Sequence, residues 1–195
     1  MNLAGLTLLT ALAMGPLAIG AKAPAGVAAT KMKNVDGKSV SIADVTGKAG
    51  TLVVFTCNHC PWAKGWERRM ADLGNTYAKK KLGVVWINAN DPGPNEEDSY
   101  AGTQTRAKEL GLAFPYVIDE TSAVAKAFGA SVTPEAFLFD ARGKLAYHGT
   151  IDDNRKEPDK VEKRYLQDAL DAVVAGKVPA VAETKSLGCG IKFRS

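Results

Sequence analysis

The sequence predicts an α/β protein: a central mixed sheet flanked by helices, with an N-terminal β-hairpin extension. Three observations predict it. The runs Thr51 to Thr56 and Gly83 to Asn88 are short, apolar and β-branched without polar alternation, which marks strands buried on both faces. Segments with apolar residues at helical spacing stand between such runs. Paired β-prone runs bracket Gly-containing turns before and after that series. Alternation of this kind places a sheet between two layers of helices.

The elements follow in order. Val27 to Met32 and Ser39 to Ile42 flank Asn34-Val35-Asp36-Gly37, where an Asp-Gly pair signals a hairpin. After the first buried strand, Pro61 to Lys81 reads as a helix. Proline suits its first turn, and Trp62, Trp66, Met70, Leu73 and Tyr77 share a face. Gly65 and Gly74 weaken that helix. The second buried strand ends at a turn-rich stretch, Asn90 to Asn95, followed by a helix within Glu96 to Leu110. Phe114 to Ile118 is a third strand, and Thr121 to Phe128 a helix stopped by Gly129. Glu135 to Asp140 and Lys144 to His148 form a second hairpin around Ala141-Arg142-Gly143. Lys160 to Val174 closes the domain as an amphipathic helix with Val161, Tyr165, Leu166, Leu170 and Val173 on one face.

The chain of 195 residues carries a net charge of +4, with its basic residues scattered among acids. That pattern is a solvated surface and gives no nucleic-acid partner. Residues 1–18 are apolar, lack Asp, Glu, Lys and Arg, and contain Ala11-Leu12-Ala13 as a small-x-small cleavage site. They read as an export leader, placing the protein in the periplasm or otherwise outside the cytoplasm, with a cytoplasmic product as the alternative. Gly5, Gly15 and Pro16 argue against stable membrane insertion. Residues 19–175 form one domain, and 176–195, spaced by Gly, Pro and polar residues, read as a tail.

Three cysteines are too few for a stapled scaffold, and two of them, Cys57 and Cys60, stand three apart between a buried strand and a helix. Thiol–disulfide exchange needs a thiolate, and a helix amino terminus stabilises an anion with its unpaired amides. His59 lies between the two cysteines, where charge or a hydrogen bond would tune a thiolate. Cys189, the seventh residue counted back from the carboxyl end, is either an additional resolving thiol or an idle one. Asp119, Asp152 and Asp153 lie near strand ends and read as solvated acids.

The string Thr56-Cys57-Asn58-His59-Cys60-Pro61, with Gly20-Ala21-Lys22-Ala23-Pro24, Asp36-Gly37-Lys38, Thr133-Pro134 and the end segment Gly188 to Phe193, resembles thioredoxin-like redoxins of the alkyl hydroperoxide reductase/thiol-specific antioxidant (AhpC/TSA) family. The resemblance implies a thioredoxin fold and an antioxidant thiol–disulfide oxidoreductase. It implies a cis proline at Pro134 and a substrate groove formed by Thr133, Pro61 and Trp62. Its partners would be protein or small-molecule thiols and disulfides, plus a reducing partner such as a thioredoxin-type donor. No cofactor or metal is implied.

One departure bears on roles. Counted from Phe55, the usual position of the attacking cysteine falls on Cys60, so Cys57 would resolve, the reverse of the usual order. The same register resembles the peroxidatic position of peroxiredoxins, but Val53 and Cys57 stand where that motif carries Pro and Thr. Thiol peroxidase is therefore the alternative. A Sco-like copper-binding protein, with His148 as a third ligand, is a further reading that the two-residue spacing disfavours.

Overall fold

The structure, a computed structural model, describes residues 15–194. The leader reading for residues 1–18 falls mostly outside the described residues. Among these, no helix is long and apolar enough to cross a membrane.

The chain runs through a short helix α1 (Ala25–Ala28), the hairpin strands β1 (Met32–Asn34) and β2 (Ser39–Val40), and β3 (Gly50–Phe55). Then come α2 (Pro61–Ala78), β4 (Leu82–Asn88), α3 (Tyr100–Glu109), β5 (Tyr116–Ile118) and α4 (Ala123–Phe128). The last elements are β6 (Val132–Thr133), β7 (Glu135–Asp140), β8 (Leu145–Gly149), α5 (Tyr165–Val174) and β9 (Cys189–Gly190). Seven strands form one mixed sheet in the order β2-β1-β5-β4-β3-β7-β8, and β6 pairs with β9 apart from it. β4 runs parallel to both β3 and β5, while β7 lies antiparallel to β3.

Successive side chains of a strand point to opposite faces, and β3 shows the consequence. Leu52 and Val54 enter one core with Trp66, Met70 and Leu170, whereas Val53 and Phe55 enter the other with Phe128 and Phe137. A strand with a core on each side has no polar face, which accounts for the unbroken apolar run.

Several boundaries differ from expectation for local reasons. Val27 belongs to α1, which opens after Pro24 and packs on the second core, so the first strand starts at Met32. β5 begins after Pro115, which has no N–H to give to the ladder although its carbonyl accepts from Trp86 N–H. The expected helix from Glu96 divides, because Ser99 is extended and caps α3 through Gly102 N–H. α5 starts only at Tyr165: Pro158 opens a separate 3-10 turn, and Arg164 departs from helical geometry. Val161 consequently lies outside the helix. Asp119 and Asp152 are buried, the first accepting from Ala125 N–H and the second from the Trp66 indole. The expected tail, described as far as residue 194, returns along the domain, through Ala182 and Thr184 beside His148 and through β9 beside β6.

Candidate functional site

β3 ends at Phe55, and Thr56 extends it by donating to Ile87 O. The next residues are clamped from one side by Asn58. Its N–H donates to Asp98 Oδ1 at 2.7 Å, and its side-chain amide to Glu97 O at 2.7 Å and Thr103 Oγ1 at 3.0 Å. Tyr116 OH donates to its remaining oxygen at 3.0 Å. This buried set fixes the loop that carries the thiols, because every polar atom of the amide is engaged.

Cys60 is the N-cap of α2, extended at φ −66 and ψ 126, with Pro61 at the first helical position. Its Sγ makes no full capping hydrogen bond, but the Ala63 N–H of the first turn favours charge on it. The Cys57 thiol donates toward Cys60, and Cys189 approaches through both its thiol and its backbone N–H. Thr133 O, 3.4 Å from Sγ, accepts from the protonated thiol and opposes this. The donors prevail: the hydrogen bond from Cys57 first of all, against burial, holds the Cys60 pKa down to about 4.

Cys57 shifts the opposite way. Donation to Cys60, burial and the charge of Asp98 all push its thiol up, and only the Thr133 hydroxyl, 3.0 Å away, works against them. The Cys189 thiol is also pushed up, by burial and then by Cys60. The assignment of the charge to Cys60 rests on its place at the helix terminus, which Cys57 lacks.

The other expected site residues gather here. The Thr133–Pro134 peptide is cis, and Pro134 is buried. Trp62 and Cys189 pack against the cluster of Cys57, Cys60 and Ala63. Trp62 is half-buried, its ring centroid 5.8 Å from that of Trp66 and covered by the Arg155 guanidinium at 4.6 Å. His59 Nδ1 is hydrogen-bonded to Asp98 Oδ2 at 2.5 Å, and the ring is partly exposed.

Residues 19–148 match the AhpC/TSA family. The chain belongs to the AhpC/TSA family. Its fold is that of thioredoxin: the thioredoxin domain of a thiol-disulfide oxidoreductase from Bacteroides vulgatus superposes with a TM-score of 0.54, at 23% identity, over 69% of this chain and 89% of that one. A hypothetical protein from Sinorhizobium meliloti 1021 is more similar, with a TM-score of 0.84 and 32% identity over 93% of this chain and 97% of its own. The thiol-disulfide oxidoreductase ResA of Geobacillus thermodenitrificans is 30% identical over 66% of this chain and 67% of its length.

In this AhpC/TSA member, sequence reasoning missed Asp98. It is fully buried, and its oxygens serve Asn58, His59 and Asn90. Glu96, Glu97 and Asp98 read as ordinary acids within the expected helix from Glu96, so no pattern separates this acid from its neighbours. Cys57, His59 and Asp98 are the group of possible metal ligands found among the described residues, their donor atoms within 4.8 Å of one another. The Asp98 carboxyl group is already satisfied by three donors, so the arrangement is complete as a hydrogen-bond network around a thiol. His148 is not brought to the thiols as the copper reading needs. Its Nε2 is 2.7 Å from Glu135 and its Nδ1 3.4 Å from Glu183, so both ring nitrogens are committed.

Proposed function

We propose that this chain is a thiol–disulfide oxidoreductase in which Cys60 attacks and Cys57 resolves. The observation that carries the reading is Cys60 at the amino terminus of α2, with its pKa held to about 4 beside a Cys57 thiol pushed the other way. A thiolate at neutral pH next to a protonated thiol is the pair of states that exchange requires. The oxidoreductase ResA from Geobacillus thermodenitrificans supports the same activity.

In the reductive direction, the Cys60 thiolate attacks one sulfur of a substrate disulfide. A Cys60–substrate bond forms, and the other substrate sulfur leaves as a thiolate that takes a proton from water. Cys57 then gives up its proton and attacks Cys60 Sγ. The Cys57–Cys60 disulfide forms, and the second substrate sulfur leaves with a proton. A reducing partner, a dithiol of the thioredoxin type, returns two electrons to the pair. A stabilised Cys60 thiolate favours the reduced form and makes the disulfide oxidising. His59, tied to Asp98, borders this exchange, and Thr133, Pro134, Pro61 and Trp62 line the approach to it. The apolar leader supports work outside the cytoplasm, where disulfides persist.

Glutathione disulfide tests the roles. With Cys57→Ser/Cys189→Ser, glutathione should remain bonded to Cys60, and Cys60→Ser should capture none at the pair. A stable adduct on Cys57 in Cys60→Ser would reverse the assignment.

A further inference from the structure

β6 is a two-residue edge lying directly before Pro134, and its hydrogen-bonded neighbour is the chain's own C-terminal segment. Val132 stands opposite Gly190 and Thr133 opposite Cys189, antiparallel, with Ile191 N–H continuing to Ser131 O at 2.9 Å. The approach is close. A Cβ on Gly188 would lie 2.3 Å from Thr133 O, so a side chain there cannot be accommodated without moving backbone. The segment is anchored on both sides. Upstream, Ser186 Oγ donates to Glu135 Oε1; downstream, Ile191 is buried and Lys192 N–H donates to Asn90 Oδ1 at 2.9 Å.

An extended peptide that recognises a sheet edge gains affinity from main-chain hydrogen bonds and specificity from alternate side chains. The segment Gly188 to Ile191 has that form, and the side chain it delivers is a thiol packed on Cys60.

We propose that the C-terminal segment is an internal substrate: it fills the polypeptide-docking edge at Thr133 and presents Cys189 for exchange with Cys60. The proposal rests on the oxidoreductase reading above and deepens it in two ways. Cys189 becomes a second resolving thiol. When it attacks Cys60 in the Cys57–Cys60 disulfide, the Cys60–Cys189 bond forms and Cys57 leaves, taking up the proton that Cys189 gave; no electrons are gained or lost. When it attacks a Cys60–substrate bond, the substrate sulfur leaves with that proton. The segment also sets the substrate class. Small disulfides need no sheet edge, whereas extended polypeptides must first displace the segment.

The test uses the full chain. After glutathione disulfide treatment, Cys57→Ser, which keeps two cysteines, should hold no free thiol and no bound glutathione, and peptide mapping should show Cys60–Cys189. Glutathione retained on Cys60 with Cys189 free would overturn the proposal while leaving the oxidoreductase reading intact. Failure of the Cys57→Ser/Cys189→Ser variant to take glutathione would instead remove that reading. As a second variant, Gly188→Ala should raise insulin reduction severalfold relative to reduction of glutathione disulfide. An unchanged ratio with a correctly folded variant would also overturn the proposal.

Discussion

The pKa of Cys60 yields a quantitative expectation. It lies at about 4 against an ordinary 9.0, and the hydrogen bond from Cys57 is the largest cause. A hydrogen bond to a charged group contributes about 1.5–3 kcal/mol. At about 1.4 kcal/mol per pKa unit, Cys57→Ala should raise the Cys60 pKa by about 1–2. Cys57→Ser keeps an O–H donor in the same place and should raise it less. The assay is the ultraviolet absorbance of the thiolate, followed by acid titration of the reduced protein and checked by alkylation rate. Cys60→Ala should abolish the acidic titration altogether. Persistence of that titration in Cys60→Ala, or its loss in Cys57→Ala with Cys60 intact, would refute the reasoning and move the thiolate to Cys57. The sign for stability follows from the same numbers. A depressed pKa contributes stability that is complete above the unfolded value and fades as pH falls through about 4. The reduced wild type should therefore lose its advantage over Cys60→Ala progressively as pH falls from about 9.0 to about 4.

Three further outcomes are expected. Asp152→Ala strands the buried Trp66 indole N–H, bonded at 2.7 Å, and removes the Arg69 ion pair at 3.2 Å. Breaking a buried pair on one side costs about 3 kcal/mol or more, so thermal melting should fall by about 6–12 °C, and by less in Asp152→Asn. Gly74→Ala should destabilise by about 1–3 kcal/mol in denaturant titration despite better helix propensity, because its Cβ would meet Phe114 Cε1 at 2.3 Å. Burial alone would lower the His148 pKa, but Glu135 and Glu183 outweigh it and the net shift is upward from 6.5. Stability from that pairing is therefore complete below about 6.5 and lost as pH rises through the folded value. The difference in melting temperature between wild type and His148→Gln should shrink across that rise; a difference constant with pH rejects the account.

Much of the fold was legible because its signals are local. β3 and β4 announce their burial by composition, Gly129 stops α4 in the left-handed conformation it was expected to take, and the Asp36-Gly37 turn closes the first hairpin with Gly37 at φ +85. The three thiols were visible as residues, and Cys57 and Cys60 as a pair. What stayed hidden depends on distant neighbours. Gly74 looks like a weakness of α2 until Phe114 is seen against it. Asp98 gains its meaning from Asn58, Asn90 and His59, which lie far from it in sequence or across a turn. Two-residue strands such as β6 and β9 have no periodicity to detect, so the return of the C-terminal segment to the active pair left no trace in the pattern.

That return bears on access. Cys60 is wholly buried, although a nucleophile must meet its substrate. Pro61 and α2 cover it from one side and Thr133 from another, and these belong to the sheet and its first helix. Of the remaining neighbours Cys57 is buried, while Cys189 and Trp62 are only partly buried and packed on the thiol cluster. Displacing Cys189 means opening the β6–β9 pairing with its flanking bonds from Ile191 N–H to Ser131 O and from Ser186 Oγ to Glu135, whereas displacing Thr133 means disturbing the backbone that leads into β7. Local opening follows the path with fewest buried contacts. The route of a polypeptide to Cys60 thus passes through the C-terminal segment, and the same movement that admits it also withdraws the competing thiol.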